Sequence, residues 1–242
     1  MTRVRLDSLL AERGLYGSRT RAAASVMAGE VLVGPDRRRI DKPGQMVEAD
    51  VLVAVDAAPD YVSRGGIKLA NALDALDVPV QGRRGLDVGA STGGFTDVLL
   101  QRGAEHVVAL DVAYGELNWG LRTDERVTVL ERFNARGLSA EDLPYAPEVV
   151  VVDVSFISLK KVLPAVLATA AEGFDCLAMV KPQFEVGRDR VGKGVVHDPA
   201  LRREAIDGVA QAARALGHEI AGEAESGLPG PKGNLETFLW IR

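Results

Sequence analysis

Residues 87–97 read Asp-Val-Gly-Ala-Ser-Thr-Gly-Gly-Phe-Thr-Asp and directly follow an apolar run. Small residues at such a place let the backbone approach a ligand closely. A nucleoside triphosphate is disfavoured, because Phe95 stands where a phosphate-binding loop carries its lysine. A dinucleotide is disfavoured too, because Ser91 replaces the glycine that must approach the pyrophosphate in G-x-G-x-x-G. The third possibility is a ligand without phosphate groups.

Apolar runs alternate with helical patterns on both sides of this stretch. The continuous run Glu-Val-Val-Val-Val-Asp is typical of a strand covered on both faces, and hence of a mostly parallel sheet. The last two apolar runs are joined by a turn-rich segment too short for a crossover helix, which predicts an antiparallel pair. We predict strands at 84–88, 106–111, 127–131, 148–153, 174–181, 218–225 and 235–242, and helices at 65–76, 94–102, 158–172 and 198–216.

These elements predict an α/β domain with the Rossmann-like class I methyltransferase fold, a seven-stranded, mostly parallel sheet with an antiparallel last strand. The opening stretch is similar to the first motif of S-adenosylmethionine-dependent methyltransferases, E/D-x-G-x-x-x-G. Asp111 ends the second strand and is placed to bind ribose hydroxyls, although an ordinary helix N-cap is an alternative. Asn134, near the end of the third strand, is placed to meet the adenine. The predicted donor-binding residues are Asp87, Gly89, Ala90, Ser91, Thr92, Gly93, Gly94, Phe95, Asp111, Asn134 and Asp153.

The N-terminal part is basic while the rest of the chain is acidic. Residues 1–42 hold nine Lys/Arg against five Asp/Glu, and the other residues hold 20 against 29. We predict one helix at 5–13, with Leu6, Leu9 and Leu10 inward, and short strands at 31–33 and 51–55. A second helix starts after the N-cap Ser18, ends at Gly29, and has the inner face Ala22, Ala23, Val26 and Met27.

The pattern S-R-x-x-A, G-x-V-x-V-x-G and K-P-G across 18–44 resembles the alpha-L RNA-binding fold, which a small-subunit ribosomal protein and many pseudouridine synthases share. The resemblance implies a small α+β RNA-binding domain at 1–56, a linker at 57–63 and the methyltransferase domain at 64–242. The cations of the small domain would bind RNA phosphates. The alternative is that they only form a solvated helix face. The predicted RNA-facing groups here are Arg3, Arg5, Arg19, Arg21 and Lys42.

Four charged residues are predicted to share the carboxyl edge of the sheet. Asp153 and Lys181 end the fourth and fifth strands, and Glu236 lies near the start of the antiparallel seventh. Lys68 lies on the helix before the first strand and can reach the same edge. From spacing alone, a structural ion-pair network and a catalytic site are equally compatible with these residues.

The four residues match the K-D-K-E tetrad of FtsJ-type RNA ribose 2′-O-methyltransferases, and further motifs resemble the TlyA family. These motifs are S-R-G-G-I-K-L, G-A-S-T-G-G-F-T-D, V-S-F-I-S-L, V-K-P-Q-F-E-V-G and G-N-L-E-T-F-L-W-I-R. Family members are known as hemolysins and rRNA 2′-O-methyltransferases. The resemblance implies S-adenosylmethionine-dependent methylation of cytidine 2′-hydroxyls in ribosomal RNA, with rRNA or ribosomal subunits as partners. A catalytically silent rRNA-binding or ribosome-assembly factor is the alternative.

The implied reaction suggests roles for the tetrad. We expect Lys181 to be the general base, helped by the charge of Lys68, while Asp153 orients Lys181 and the donor and Glu236 orients Lys68 or the hydroxyl. The segment 183–198 is expected to be a mobile loop, and Arg64, Arg188, Arg190 and Lys193 are further candidate RNA contacts. The family often has a basic-aromatic linker, but Pro59-Asp60-Tyr61-Val62 stands here.

Several other functions are disfavoured by composition. The single cysteine, Cys176, lies in an apolar run and is expected to be a packing group. The histidines His106, His197 and His218 have no ligand spacing, so we expect no metal. No apolar run approaches the roughly 18 residues of a membrane span, which disfavours a membrane partner or a pore-forming hemolysin. The charged N-terminus lacks a signal-peptide core, and we expect a cytoplasmic protein.

Overall fold

The computed structural model describes residues 3–27, 29–40, 42–55, 61–192, 194–230 and 232–242. The chain divides into two compact units, Met1–Asp60 and Tyr61–Arg242. Of the predicted linker, 57–60 lie outside the described residues, and 61–63 belong to the second unit.

The first unit packs two helices with short antiparallel strands. Helices α1 (Leu6–Glu12) and α2 (Arg19–Met27) cover a three-residue strand β2 (Val31–Val33), which pairs with β3 (Arg38–Arg39) and β5 (Val53–Val55). A separate pair joins β1 (Arg3–Arg5) to β4 (Met46–Glu48). The predicted inward leucines of α1 are buried, and the hydroxyl of Ser18 accepts a hydrogen bond from Arg21 N at 3.2 Å, as an N-cap does.

Two details of the predicted first unit were wrong. Met27 is 65% exposed and Ala23 is only half-buried, because the buried stripe of α2 consists of Ala22 and Val26, four residues apart. The predicted strand 51–55 begins only at Val53, since Val51 N closes a turn onto the carbonyl of Glu48.

The second unit is a seven-stranded sheet with helices on both faces. In chain order the strands are β6 (Arg84–Val88), β7 (His106–Leu110), β8 (Val127–Leu130), β9 (Val149–Val152), β10 (Asp175–Val180), β11 (Ile220–Glu225) and β12 (Thr237–Ile241). Across the sheet they lie in the order β11-β12-β10-β9-β6-β7-β8. Strand β12 is antiparallel to both neighbours, β10 and β11. The predicted fold class and the antiparallel last pair are therefore confirmed.

Strand β9 illustrates why the sheet is buried on both faces. All four of its valines are fully buried: Val149 and Val151 pack with α3 (Arg64–Leu76) and α4 (Gly94–Gln101), while Val150 and Val152 pack with α6 (Leu163–Leu167) and α8 (Pro199–Ala215). An uninterrupted valine run satisfies both apolar layers at once. Cys176 of β10 belongs to the second layer, and burial raises the pKa of its thiol, which suits a packing role.

The predicted helix 158–172 is much shorter than expected. A 3-10 turn at Leu159–Lys161 precedes α6, and Pro164 lies in the first turn of that helix. Proline has no N–H and cannot stand in a helix interior, so the helix can begin only next to it. Brief elements that sequence periodicity missed are α5 (Trp119–Arg122), α7 (Pro182–Glu185) and 3-10 turns at Ala135–Gly137, Ala140–Asp142 and Arg188–Arg190.

The segment 183–198 is anchored at its C-terminal end. The side chain of Asn234 accepts a hydrogen bond from Val196 N at 2.9 Å and donates one to the carbonyl of Gly194 at 2.9 Å. Asn234 itself is buried. Together with α7 and the 3-10 turn, these bonds give the segment more regular structure than a glycine-rich loop pattern predicts.

Candidate active site

The small-residue run forms a tight loop between β6 and α4. The N–H groups of Gly89 and Ala90 both donate to the carbonyl of Leu110, at 2.8 and 3.1 Å, which ties the loop to β7. Gly89 has φ +90°, and a Cβ there would collide with the backbone oxygen of Asp153. The glycine is therefore needed because two loops at the carboxyl edge of the sheet pass in direct contact.

Asp87 supports this loop from below. Its Oδ2 accepts hydrogen bonds from Thr96 N at 2.9 Å and Thr96 Oγ1 at 2.7 Å, which fixes the first turn of α4. The side chain is fully buried and does not line the cleft described below. Burial, reinforced by the charge of Asp153, raises the pKa of Asp87 to about 7, although the Thr96 bonds act in the opposite sense.

Asp111 lies at the end of β7, beside the small-residue loop. Its Oδ2 accepts from Ser91 N at 2.7 Å and its Oδ1 from Ala113 N at 2.8 Å. The alternative of a helix N-cap is not seen, because the next described helix, α5, begins at Trp119 and is capped by Asn118. A carboxylate has about four acceptor positions, so these two bonds orient the group and leave others for ligand hydroxyls. Nearby, Ser91 Oγ donates to Glu116 Oε2 at 3.1 Å.

Asn134 caps the 3-10 turn that follows β8. Its Oδ1 accepts from Arg136 N at 3.1 Å, and the residue is exposed. It does not line the large cleft. A contact between Asn134 and an adenine therefore stays a prediction.

A cleft of about 670 Å³ opens at the carboxyl edge of the sheet. All four predicted tetrad residues line it, so residues far apart in sequence meet at one site. The glycine loop, the start of α3, the segments after β9 and β10, and the loop before β12 form its walls. Among the lining residues are Arg64, Lys68, Gly89, Ala90, Ser91, Thr92, Gly94, Phe95, Asp153, Ser155, Phe156, Lys181, Gln183, Phe184, Lys232 and Glu236.

The tetrad forms two separate ion pairs. Lys68 Nζ contacts Glu236 Oε2, and both residues are buried, with 7% and 3% of their surfaces exposed. Lys181 Nζ contacts Asp153 Oδ1 and also donates to Ser155 Oγ at 2.9 Å. The pairing compensates charges that are costly to desolvate singly.

Sequence reasoning missed Phe156, which is 91% exposed beside these charges. Its backbone has φ +65°, a conformation rare for a non-glycine residue. The ring lies 5.3 Å from that of Phe184 on α7, measured between centroids. The sequence offered one indication of this residue: an aromatic side chain occurs in the segment directly after a strand that ends in aspartate.

Glu185 also escaped sequence reasoning. Its carboxylate accepts from Ser158 Oγ at 2.6 Å and from Leu159 N at 2.7 Å, and its side chain is only 1% exposed. It thereby connects the segment after β9, which carries Ser155 and Phe156, to α7 after β10.

The predicted RNA-facing cations have different surroundings. In the first unit, Arg5 and Arg19 pair with the buried carboxylate of Asp7, at 2.7 and 3.4 Å. Arg3 donates to the carbonyl of Met46 at 2.9 Å, and Arg21 and Lys42 are exposed.

In the second unit, Arg64 lines the cleft and Arg190 pairs with Glu204 of α8 at 2.6 Å. Lys193 and the side chain of Arg188 lie outside the described residues.

The described helices include none that is both long enough and apolar enough to cross a lipid bilayer. His106 contacts the hydroxyl of Tyr145 through Nδ1 at 2.9 Å and that of Thr128 through Nε2 at 3.3 Å.

Comparison with known proteins agrees with this geometry. A family model described as FtsJ-like methyltransferase matches residues 61–242. The chain is 51% identical, over 99% of its length and 90% of the relative's, to the 16S/23S rRNA (cytidine-2′-O)-methyltransferase TlyA of Mycobacterium tuberculosis. A solved structure of a Streptococcus thermophilus protein classed with the hemolysins is 38% identical and has a TM-score of 0.77, covering 100% of this chain and 88% of that one.

A more distant structure shares the fold alone. Fibrillarin from Aeropyrum pernix, solved with bound S-adenosyl-L-methionine, is 16% identical with a TM-score of 0.54, over 88% of this chain and 94% of that one.

The contact between Gly89 and Asp153 predicts a specific loss of stability. Gly89→Ala adds a methyl group against a backbone oxygen, whereas Gly82→Ala, at a similar φ of +72°, has no atom within 4 Å of its Cβ. Both variants carry positive-φ strain, so the difference isolates the collision. We expect Gly89→Ala to lose about 1–3 kcal/mol more unfolding free energy than Gly82→Ala. Urea unfolding measures both, and equal losses would contradict the contact.

The pKa of Asp87 predicts a pH-dependent stability. A carboxyl whose pKa lies at about 7 in the folded chain, against 3.8 ordinarily, binds more protons when folded, so stability falls as pH rises between those values. Asp87→Asn removes this fall. We expect the unfolding free energy of the variant, relative to the unmodified protein, to rise from about pH 4 to about pH 7 and then level off.

Asp175 serves as the control of opposite sign. Burial alone would raise the pKa of Asp175, but hydrogen bonds from Arg83, Trp240 and Arg242 hold it below its usual value. The stability that this carboxylate contributes is present above its unfolded pKa and is lost as pH falls. Asp175→Asn should therefore lower the unfolding free energy most near neutrality. If the unfolding free energies of Asp87→Asn and Asp175→Asn, relative to the unmodified protein, changed with pH in the same direction, the opposite pKa shifts given for the two carboxyls would be refuted.

Proposed function

We propose that this chain, which belongs to the FtsJ-like methyltransferase family, transfers a methyl group from S-adenosylmethionine to the ribose 2′-hydroxyl of cytidine in ribosomal RNA. The observation that carries the proposal is the meeting of Lys68, Asp153, Lys181 and Glu236 in one cleft that the glycine loop also lines. The family relationship to a TlyA enzyme supplies the substrate class. We place its action on ribosomal subunits in the cytoplasm.

The chemistry of the cleft wall suits this donor. A cleft of about 670 Å³ lies within the usual size range of small-ligand sites. The loop carries Phe95 in place of a phosphate-binding lysine. Asp111 does not line the large cleft but a small depression on the other side of Ser91, where it offers acceptor positions for hydroxyls. We assign binding of the donor's ribose to Asp111. We assign close contact with the donor to the loop from Gly89 to Gly94. When bound, the donor would supply a methyl group on a sulfonium sulfur: the bond from carbon to the 2′-oxygen would form as the carbon–sulfur bond breaks, and the sulfur would leave as a neutral thioether.

The chain's own task is to orient the 2′-hydroxyl and remove its proton. Lys181 faces the cleft and is held by Asp153 and Ser155, which fits it for the base. Lys68, buried against Glu236, completes the charged lining of the same cleft. Positioning can lower the barrier by as much as about 7–11 kcal/mol, and a general base adds roughly 10²–10⁴-fold.

Phe156 gives the site a flat apolar surface for a base of the RNA. A ring that is 91% exposed beside the reacting groups has a free face for stacking, and its contact with Phe184 steadies it. Stacking of a nucleobase on an aromatic side chain contributes about 1–3 kcal/mol. We therefore assign Phe156 to the bound nucleotide or its neighbour.

The first unit supplies an electrostatic grip on RNA. Its exposed cations lie on a small α+β unit whose sequence pattern resembles the alpha-L fold, and each phosphate contact releases counterions. Such a grip carries little sequence information, so the choice of nucleotide belongs to the second unit.

Replacement of the proposed base tests the reaction. We expect Lys181→Ala to lower single-turnover methyl transfer from tritiated S-adenosylmethionine to rRNA by about 10²–10⁴-fold, because the hydroxyl then keeps its proton. The matched control is Lys161→Ala, at an exposed lysine of the 3-10 turn outside the cleft, which should transfer at the normal rate. Mapping of 2′-O-methylated positions in the product rRNA identifies the nucleotide.

Two results would contradict the proposal. Undiminished transfer by Lys181→Ala would remove the base assignment. Absence of transfer by the unmodified protein, with RNA binding retained, would instead favour a ribosome-assembly factor without chemistry.

The grip of the first unit predicts a change in salt dependence. Arg21→Ala removes one exposed cation of α2, so the slope of log K against log salt for rRNA binding should fall in magnitude by about 1. Arg126→Ala is the control, since Arg126 is an equally exposed arginine of the second unit and pairs with Asp124 at 2.7 Å. Filter binding at several salt concentrations measures both slopes. An unchanged slope for Arg21→Ala would refute its phosphate contact.

A further inference from the structure

The nitrogen of Lys181 is held from two directions. It contacts Oδ1 of Asp153, which directly follows the neighbouring strand β9. It also donates to Ser155 Oγ, two residues further along the chain, at 2.9 Å. Asp153 is half-buried and Ser155 is exposed, and both line the cleft. Among the described residues, Ser155 is the hydrogen-bond acceptor of this nitrogen, whereas Asp153 Oδ1 has no hydrogen-bond partner and contacts Lys181 as an ion pair.

The geometry of an amine nitrogen gives these two contacts a consequence. The nitrogen is tetrahedral, and one of its four directions is taken by Cε. A neutral amine has two N–H groups and one lone pair. The hydrogen bond to Ser155 fixes one N–H group, and the negative charge of Asp153 attracts the other, which leaves the remaining direction to the lone pair. Because Ser155 and Asp153 both belong to the cleft wall, we infer that Ser155 is a positioning residue that directs the lone pair of Lys181 toward the 2′-hydroxyl.

This inference rests on the proposed function, and it accounts for why the ion pair with Asp153 would not suffice. With Asp153 alone, rotation about the Cε–Nζ bond can place the second N–H or the lone pair toward the substrate with similar ease. An N–H in that direction donates a hydrogen bond to the hydroxyl oxygen and leaves its proton in place. Ser155 removes this unproductive rotamer and leaves the base ready to accept the proton.

Glu185 anchors the segment that carries Ser155. Its buried carboxylate holds Ser158 and Leu159, at 2.6 and 2.7 Å, and so anchors the segment after β9 to α7, which begins one residue after Lys181. The base and Ser155 are therefore carried by two segments joined by a buried hydrogen-bonded link. This link restricts the position of the exposed Ser155 hydroxyl.

The experiment is a pH–rate profile of single-turnover methyl transfer to rRNA at saturating donor and RNA. The charged groups that share the cleft with Lys181 are Arg64, Lys68, Asp153, Lys232 and Glu236, and Ser155→Ala changes none of them. An ammonium is bound more strongly than an amine by a hydroxyl oxygen. Loss of Ser155 should therefore shift the acidic limb of the profile to lower pH and lower the alkaline plateau by about 10- to 100-fold.

Three further variants complete the test. Ser155→Thr retains the hydroxyl and should restore both the limb and the plateau. Ser158→Ala loosens the same segment through Glu185 without touching Lys181, so it should leave the limb at its normal pH. Ser139→Ala, at an exposed serine that caps a 3-10 turn away from the cleft, should behave as the unmodified protein.

The outcomes separate this inference from the proposed function. A lower plateau with an unmoved limb in Ser155→Ala would mean that the serine only stabilises the segment, and it would overturn the inference. A normal plateau in Ser155→Ala would overturn it as well. If Lys181→Ala abolishes transfer in either case, the proposed function stands without Ser155. If Lys181→Ala transfers normally, the base assignment fails and the inference fails with it.

Discussion

A buried ammonium requires a carboxylate in contact with it, and this requirement governs the carboxyl edge of the sheet. Lys68 comes from the helix before β6 and is almost completely enclosed, so its charge depends on Glu236. Glu236 reaches that edge only because β12 runs antiparallel to β10, which places the start of the strand where its neighbours end. The reversed strand is thus a condition of the site as well as a feature of the fold.

The wall beside these pairs is shared by the glycine loop. Gly89 touches the backbone of Asp153 so closely that no side chain fits, while Asp87 and Thr96 hold the same loop from beneath. The groups that would bind the donor and those that would act on the hydroxyl are therefore mechanically connected through one residue, Asp153. A change in the loop would reach the carboxylate that pairs with Lys181, so under the proposed function donor binding would be coupled to the orientation of Lys181.

The sheet could be predicted from sequence because its strands are buried on both faces and leave uninterrupted apolar runs, as Val149–Val152 shows. The meeting of the tetrad followed from topology alone, since parallel strands end at one edge. The partner of each lysine could not be predicted in this way, because it depends on side-chain direction within the edge. The short α5 and α7 escaped because four residues contain barely one helical turn, and Met27 was misplaced because alanine-rich α2 offers several possible inner faces.

The two ion pairs are chemically unequal, and the difference bears on which lysine can react. In the Lys68 pair the side chains are 9% and 2% exposed, whereas in the Lys181 pair they are 11% and 23% exposed, with the exposed Ser155 as a hydrogen-bond acceptor. Glu236 is shielded from a ligand in the cleft more completely than Asp153 is. A base must touch its substrate and exchange its proton with solvent after each turnover, and the more open pair permits both. Lys68 and Glu236 line the same cleft but form the more deeply buried pair, which suits a fixed structural role. Under the proposed function the K-D-K-E set would therefore divide into a static pair, Lys68 with Glu236, and a reacting pair, Lys181 with Asp153, and Ser155 contacts only the second.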